Sequence, residues 1–100
     1  MALKSSLKAA PMLTLRMIGM RDFTVREKDQ PIGRIRFASE QTPGVWLWHV
    51  QVNIPAPPFG SAQTFDDAKA DFKAAWLVFK EQHGPEKLAK AYAEMNLRKT

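Results

Sequence analysis

The sequence predicts an α+β domain: a three- or four-stranded antiparallel sheet packed on one face by one long and one shorter C-terminal helix, in the order β-β-β-α-α. Three observations carry that reading. Apolar and polar residues alternate from Leu13 to Ile54, apolar residues recur at three- and four-residue spacing from Phe65 to Met95, and a proline-rich stretch separates the two regimes.

The chain has 100 residues, of which 45% are hydrophobic and 25% charged. This is the composition of a globular domain, and the length leaves no room for a second core of ordinary size. Residues 12–100 are expected to form that single domain. Residues 1–11 are expected to be a flexible basic tail, since Met1 to Ala10 hold Lys4, Lys8, two serines and no acid. Lys8 and Pro11 interrupt the apolar run that a secretory leader needs.

Leu13, Leu15 and Met17 alternate with Thr14 and Arg16, and Phe23-Thr24-Val25-Arg26-Glu27 alternates again beyond Gly19. These segments read either as one strand bent at the glycine or as two short ones. Lys28-Asp29-Gln30-Pro31 supplies turn chemistry. From Ile32 to Ser39, Ile35 and Phe37 fall on one face and Arg34 and Arg36 on the other, the pattern of a half-buried antiparallel strand. Thr42-Pro43-Gly44 reads as a turn, with proline preset for its first central position and glycine free to take positive φ at the second. Between Val45 and Ile54, Trp46, Trp48, Val50, Val52 and Ile54 share one face, while Leu47, His49, Gln51 and Asn53 share the other. Pro55, Pro57 and Pro58 lack the donors of a central ladder, so the sheet is expected to end there.

The first helix has a well-specified start. Thr64 is placed to cap, Asp67 stands at the third helical position, and Asp66 and Asp67 complement the helix dipole. Phe65, Ala68, Phe72, Ala75, Trp76 and Phe79 form an apolar stripe. Gly84 and Pro85 are expected to divide this helix, at about 64–83, from a second at about 85–97 that carries Leu88, Ala91, Tyr92 and Met95 on its apolar side. Trp46, Trp48 and Trp76 fall at core periods.

Several chemistries are excluded or left without residues. The absence of cysteine rules out disulfides and Cys-ligated metal centres, and His49 and His83 are too far apart in sequence for an adjacent metal motif. His83 stands beside Gly84, where an imidazole caps helix carbonyls, and His49 sits mid-strand on a polar face, where a solvated residue is a more ordinary reading than a general base. The five glycines match neither a phosphate loop nor a dinucleotide fingerprint. The pattern points away from an enzyme and implies no cofactor. No apolar run is long enough for membrane insertion, and a cytoplasmic location is expected.

Charge is unevenly distributed. Residues 1–36 hold eight basic and three acidic groups, whereas residues 37–100 hold seven of each, so the net +5 belongs to the first third of the chain. If the apolar residues of the strands face the helices, alternation turns Arg26, Lys28, Arg34, Arg36, His49 and Gln51 outward together. Arginine and amide side chains on a rigid sheet can read base edges in a DNA groove. An antiparallel sheet with one wet face also needs polar residues merely to be solvated, and the same six residues fit that reading. Edge strands and Met12, Leu13, Met17 and Met20 leave open a protein-interaction or homodimerisation module instead.

The run Trp48-His49-Val50-Gln51-Val52, then Gly60, Thr64-Phe65-Asp66-Asp67-Ala68 and Trp76, resembles the strand-to-helix junction of AP2-type domains and of the arm-binding domains of phage integrases. The resemblance covers about residues 32–80. It implies a three-stranded sheet on one amphipathic helix with DNA held by the exposed sheet face, and it carries that role onto Arg34, Arg36, His49 and Gln51. The whole chain also resembles a group of short alphaproteobacterial proteins, which implies no function.

Overall fold

The computed structural model describes residues 12–40 and 42–97, so the expected tail at residues 1–11 lies outside the described residues. Five strands follow one another: β1 (Leu13–Gly19), β2 (Asp22–Glu27), β3 (Gln30–Ala38), β4 (Val45–Val50) and β5 (Phe59–Ala62). They form one antiparallel sheet in sequence order, and a helical span, α1 (Phe65–Leu97), comes last. The α+β class and the antiparallel sheet agree with expectation; the strand count and the helical layout do not.

The sheet gains strands at both ends. Residues 13–27 form two strands joined at Met20 and Arg21, the latter with φ 54°, and not one bent strand. The turn between β2 and β3 is tighter than expected. Lys28 and Asp29 both take positive φ, 50° and 68°, as a two-residue type I′ hairpin requires, and Gln30 and Pro31 already belong to β3. At the far end, the prolines do not close the sheet. Proline lacks a donor but keeps its carbonyl, and Pro58 O accepts a bond from Val50 N at 2.9 Å as the chain returns to pair β5 with β4.

Between β3 and β4 the Thr42–Pro43 bond is cis, and Gly44 does not take the positive φ expected of it. Gly44 is required for space instead, since a Cβ there would collide with the Phe37 ring.

The helix packs across β4 and β5 and reaches β3. Phe72, Trp76, Ile32, Ile35, Val25 and Val50 are the largest fully buried side chains. Gly33 is the point of closest approach: a Cβ there would lie 2.5 Å from the Phe72 ring and from the His49 carbonyl oxygen. Beside it the β2–β3 register slips between the Val25↔Gly33 and Arg26↔Pro31 pairs. This bulge turns Ile32 into the core, where strict alternation would have sent it outward. Phe23 and Trp46 both stack on Phe65, with centroids 4.9 and 4.6 Å away. Trp48 and Trp76 are buried as expected, while Trp46 is only half-buried against the core.

Thr64 caps α1 through Oγ1, which accepts from Asp67 N at 3.0 Å. The two expected helices are one helical span, kinked at Gly84 with φ 79° and ψ 163°. No side chain other than glycine's adopts that conformation readily, and Pro85 both disfavours helical geometry in its predecessor and removes an intrahelical donor. Because a single residue absorbs the break, no loop intervenes. On both sides of the kink α1 is fastened to the sheet's turn end. Lys80 Nζ meets Glu27 Oε2 at 2.8 Å, Asn96 Nδ2 donates to Gln30 Oε1 at 3.1 Å, and Asn53 Nδ2 donates to Glu94 Oε1 at 3.0 Å.

Tyr92 lies in this fastened region, and burial, with a smaller contribution from the Glu27 carboxylate, pushes its phenol up from 10.0 to about 12. Above pH 10 the unfolded chain loses this proton first, so stability is complete below pH 10 and falls as pH rises towards 12. Tyr92 is the only tyrosine in the chain. Phenolate absorbance is therefore expected to titrate near pH 12 in the native protein, and Tyr92→Phe to remove its share of the alkaline loss of stability. A native midpoint at 10.0 would contradict the packing of this half of α1.

Candidate nucleic-acid interface

Packing against α1 takes up inward residues of the sheet, most fully along β4 and β5, and leaves the other face of the sheet to solvent. On that face the register aligns residues from all five strands. Arg16 pairs with Thr24, Thr24 with Arg34, Arg34 with His49, and His49 with Phe59. A second row runs from Asp22 through Arg36 and Leu47 to Ser61. Phe59, at the end of the first row, is 80% exposed.

The arginines are held in different ways. Arg34 donates from Nε and Nη2 to the two carboxylate oxygens of Asp22, at 2.8 and 2.5 Å. Two of its five N–H donors are thereby used and the guanidinium plane is fixed. This bond, with the attraction of Arg34 and Arg36, outweighs burial and holds the Asp22 carboxyl below its usual value. Arg36 meets Glu40 at 3.4 Å, a longer contact on the exposed side. Arg16 is exposed and has no ion-pair partner among the described residues. Arg26 turns its guanidinium back to the hairpin, donating from Nη2 to the Asp29 carbonyl at 2.8 Å.

His49 sits among these cations. Burial first, then the charges of Arg34 and Arg36, push its imidazole below 6.5. Gln51 Nε2 lies 2.7 Å from His49 Nε2, a contact in which the amide donates to an unprotonated ring nitrogen and which requires the neutral imidazole.

Of the six residues expected to act together, Arg34, Arg36, His49 and Gln51 are neighbours on the outer face, and Arg26 lies on it towards the hairpin. Lys28 stands apart in the positive-φ turn, bordering a hollow shared with Lys80, Leu88 and Tyr92 on the helical side. Sequence reasoning missed Arg16, Asp22 and Phe59. The alternation of β1 already set Arg16 opposite Leu15 and Met17; its place in the row follows only from the pairing of β1 with β2. Phe59 was hidden by the prolines before it.

Among the described residues no helix is long and apolar enough to cross a membrane. Compared with known proteins, the chain is matched by no family model, no curated protein and no solved structure.

Since folding holds His49 neutral, its contribution to stability is present above pH 6.5 and is lost as pH falls through the lower native value. The native imidazole, followed by NMR, is expected to titrate below 6.5, and Arg36→Gln to raise its midpoint by removing one of the repelling charges. A native midpoint above 6.5 would contradict this arrangement.

Proposed function

We propose that the protein is a non-enzymatic, cytoplasmic nucleic-acid-binding module that lays a single strand across its outer sheet face. The observation that supports this most is the row Arg16–Thr24–Arg34–His49–Phe59, which combines cations for phosphates, a hydroxyl and an imidazole for base edges, and an exposed aromatic ring for stacking. The Asp22 clasp leaves three Arg34 donors for a ligand while holding the group in one orientation. The breadth of the sheet favours a single strand over a duplex. Five strands about 4.8 Å apart span about 19 Å, more than the roughly 12 Å of a major groove.

Bound phosphate would also offset the field of Arg34 and Arg36 on His49. Binding then favours the imidazolium and tightens as pH falls through the His49 titration.

Fluorescence anisotropy with a labelled single-stranded oligonucleotide over a salt series tests the reading. Three or four phosphate contacts give a log–log salt slope of about −2 to −3. The Arg16→Glu/Arg36→Gln variant is expected to weaken binding and flatten the slope by about 1.4, with an unchanged melting transition because neither residue lies in the core. Arg34 is a poorer choice for the test, since replacing it strands Asp22. Absence of binding at low salt, or equal binding by the variant, would contradict the proposal.

A further inference from the structure

The helix leaves part of the sheet's inner face bare. It covers β4 and β5 and reaches β3, whereas over β1 the inward residues Leu15 and Met17 remain 38% and 66% exposed. Of the eight large apolar side chains exposed among the described residues, five belong to β1 and its flanks: Met12, Leu15, Met17, Ile18 and Met20. Two hollows follow one another along this strip. One, of about 220 Å³, lies between Leu13 and Leu15 on one side and Phe72 on the other, floored by Val25 and Ile35, with Lys69 and Lys73 at its rim. The next, of about 520 Å³, lies between Met17, Met20 and the Phe23–Phe65–Trp46 stack, with Arg21 at its rim.

We propose that this trough receives an amphipathic helix of another protein, with an apolar stripe turned to β1 and β2 and acidic residues along its flank. The shape is that of an unfilled layer. A helix is about 10 Å across, so a sheet about 19 Å wide has room for a second one beside α1.

Charge selects the occupant. The charged residues lining the two hollows are Arg21, Lys69 and Lys73, all basic. Lys69 shares Asp66 at 3.1 Å, and Lys73 has no ion-pair partner among the described residues. A second copy of the chain would bring the same cations together. The helix of a second copy also has little to insert, since Val78 and Leu97 are the only exposed large apolar residues described on α1. An extended strand paired with the outer edge of β1 would leave the trough open. An acidic amphipathic helix buries the apolar strip and neutralises its rim in one step. This surface is opposite the outer sheet face, so the inference stands or falls separately from nucleic-acid binding.

The test is selection from a displayed random-peptide library, run in parallel on the wild-type protein and on Lys69→Glu/Lys73→Glu, with Met17→Asp as a second variant at an exposed position. Selected peptides are expected to carry apolar residues at i, i+3, i+4 and i+7 with Asp or Glu between them. They are expected to bind each variant about tenfold or more weakly, and to shift the Met17 and Met20 methyl signals of the wild type. Circular dichroism and melting of the variants, expected to match wild type, separate loss of the surface from loss of the fold. The proposal is overturned by the absence of any enriched peptide, by enrichment of basic or alternating extended sequences, or by equal binding to the variants. It is overturned equally by a stable dimer in sedimentation, or by capture on vesicles of phosphatidylserine and phosphatidylcholine that Met17→Asp abolishes.

Discussion

Phe72 lies so close over Gly33 that no side chain fits between helix and sheet at that point. The other features of the molecule follow from this contact. It commits the face bearing Val25, Ile35, Trp48 and Val50 to the core, and the two-residue period of each strand then obliges Thr24, Arg34 and His49 to share the opposite face. The His49 carbonyl lies against the same missing Cβ, so the residue whose ring faces outward helps form the floor on which Phe72 rests. Packing and the outer surface are in this way two sides of one strand pair.

The outer face is shaped as much by its acids as by its arginines. Asp22 comes from β2 and Arg34 from β3, two residues off the direct pairing, and their bidentate contact orients a guanidinium that would otherwise sweep through solvent. Exposed pairs of this kind contribute little to stability, roughly 0–1 kcal/mol. Their effect is on orientation and on the field felt by neighbours. His49 is held neutral by its burial and by the charges of Arg34 and Arg36, and Gln51 is positioned to donate to it. The result is a surface of paired arginines and carboxylates ending in an aromatic side chain, while the inner face divides between a finished core under α1 and an open apolar strip beside it.

How much of this was legible in the sequence depended on whether the cause was local. The alternation in β3 and β4 and the helical stripe through Phe72, Trp76 and Phe79 reported the core directly, because burial itself imposes those periods. Arg34, Arg36, His49 and Gln51 were legible for the same reason. Three other features were set by backbone conformation or by distant pairing. Lys28 left the face because it occupies the positive-φ corner of a two-residue turn, a place more often taken by asparagine or glycine. Ile32 entered the core through a bulge that alternation does not encode. The fifth strand was obscured because Phe59–Ala62 is short and follows three prolines, and only the carbonyl of Pro58, bonded to Val50, shows how the chain re-enters the sheet.

The placement of α1 on the Gly33 face is the claim on which both the outer row and the open trough depend. The most direct measurement is the nuclear Overhauser contact between the Phe72 ring and the α-protons of Gly33, together with the ring-current shift of those protons. The expected result is a strong contact, with at least one Gly33 α-proton displaced well upfield by the ring above it. Gly33 α-protons at ordinary positions, with Phe72 contacts instead to Thr24, Arg34 or the His49 ring, would place the helix on the opposite face and contradict the account.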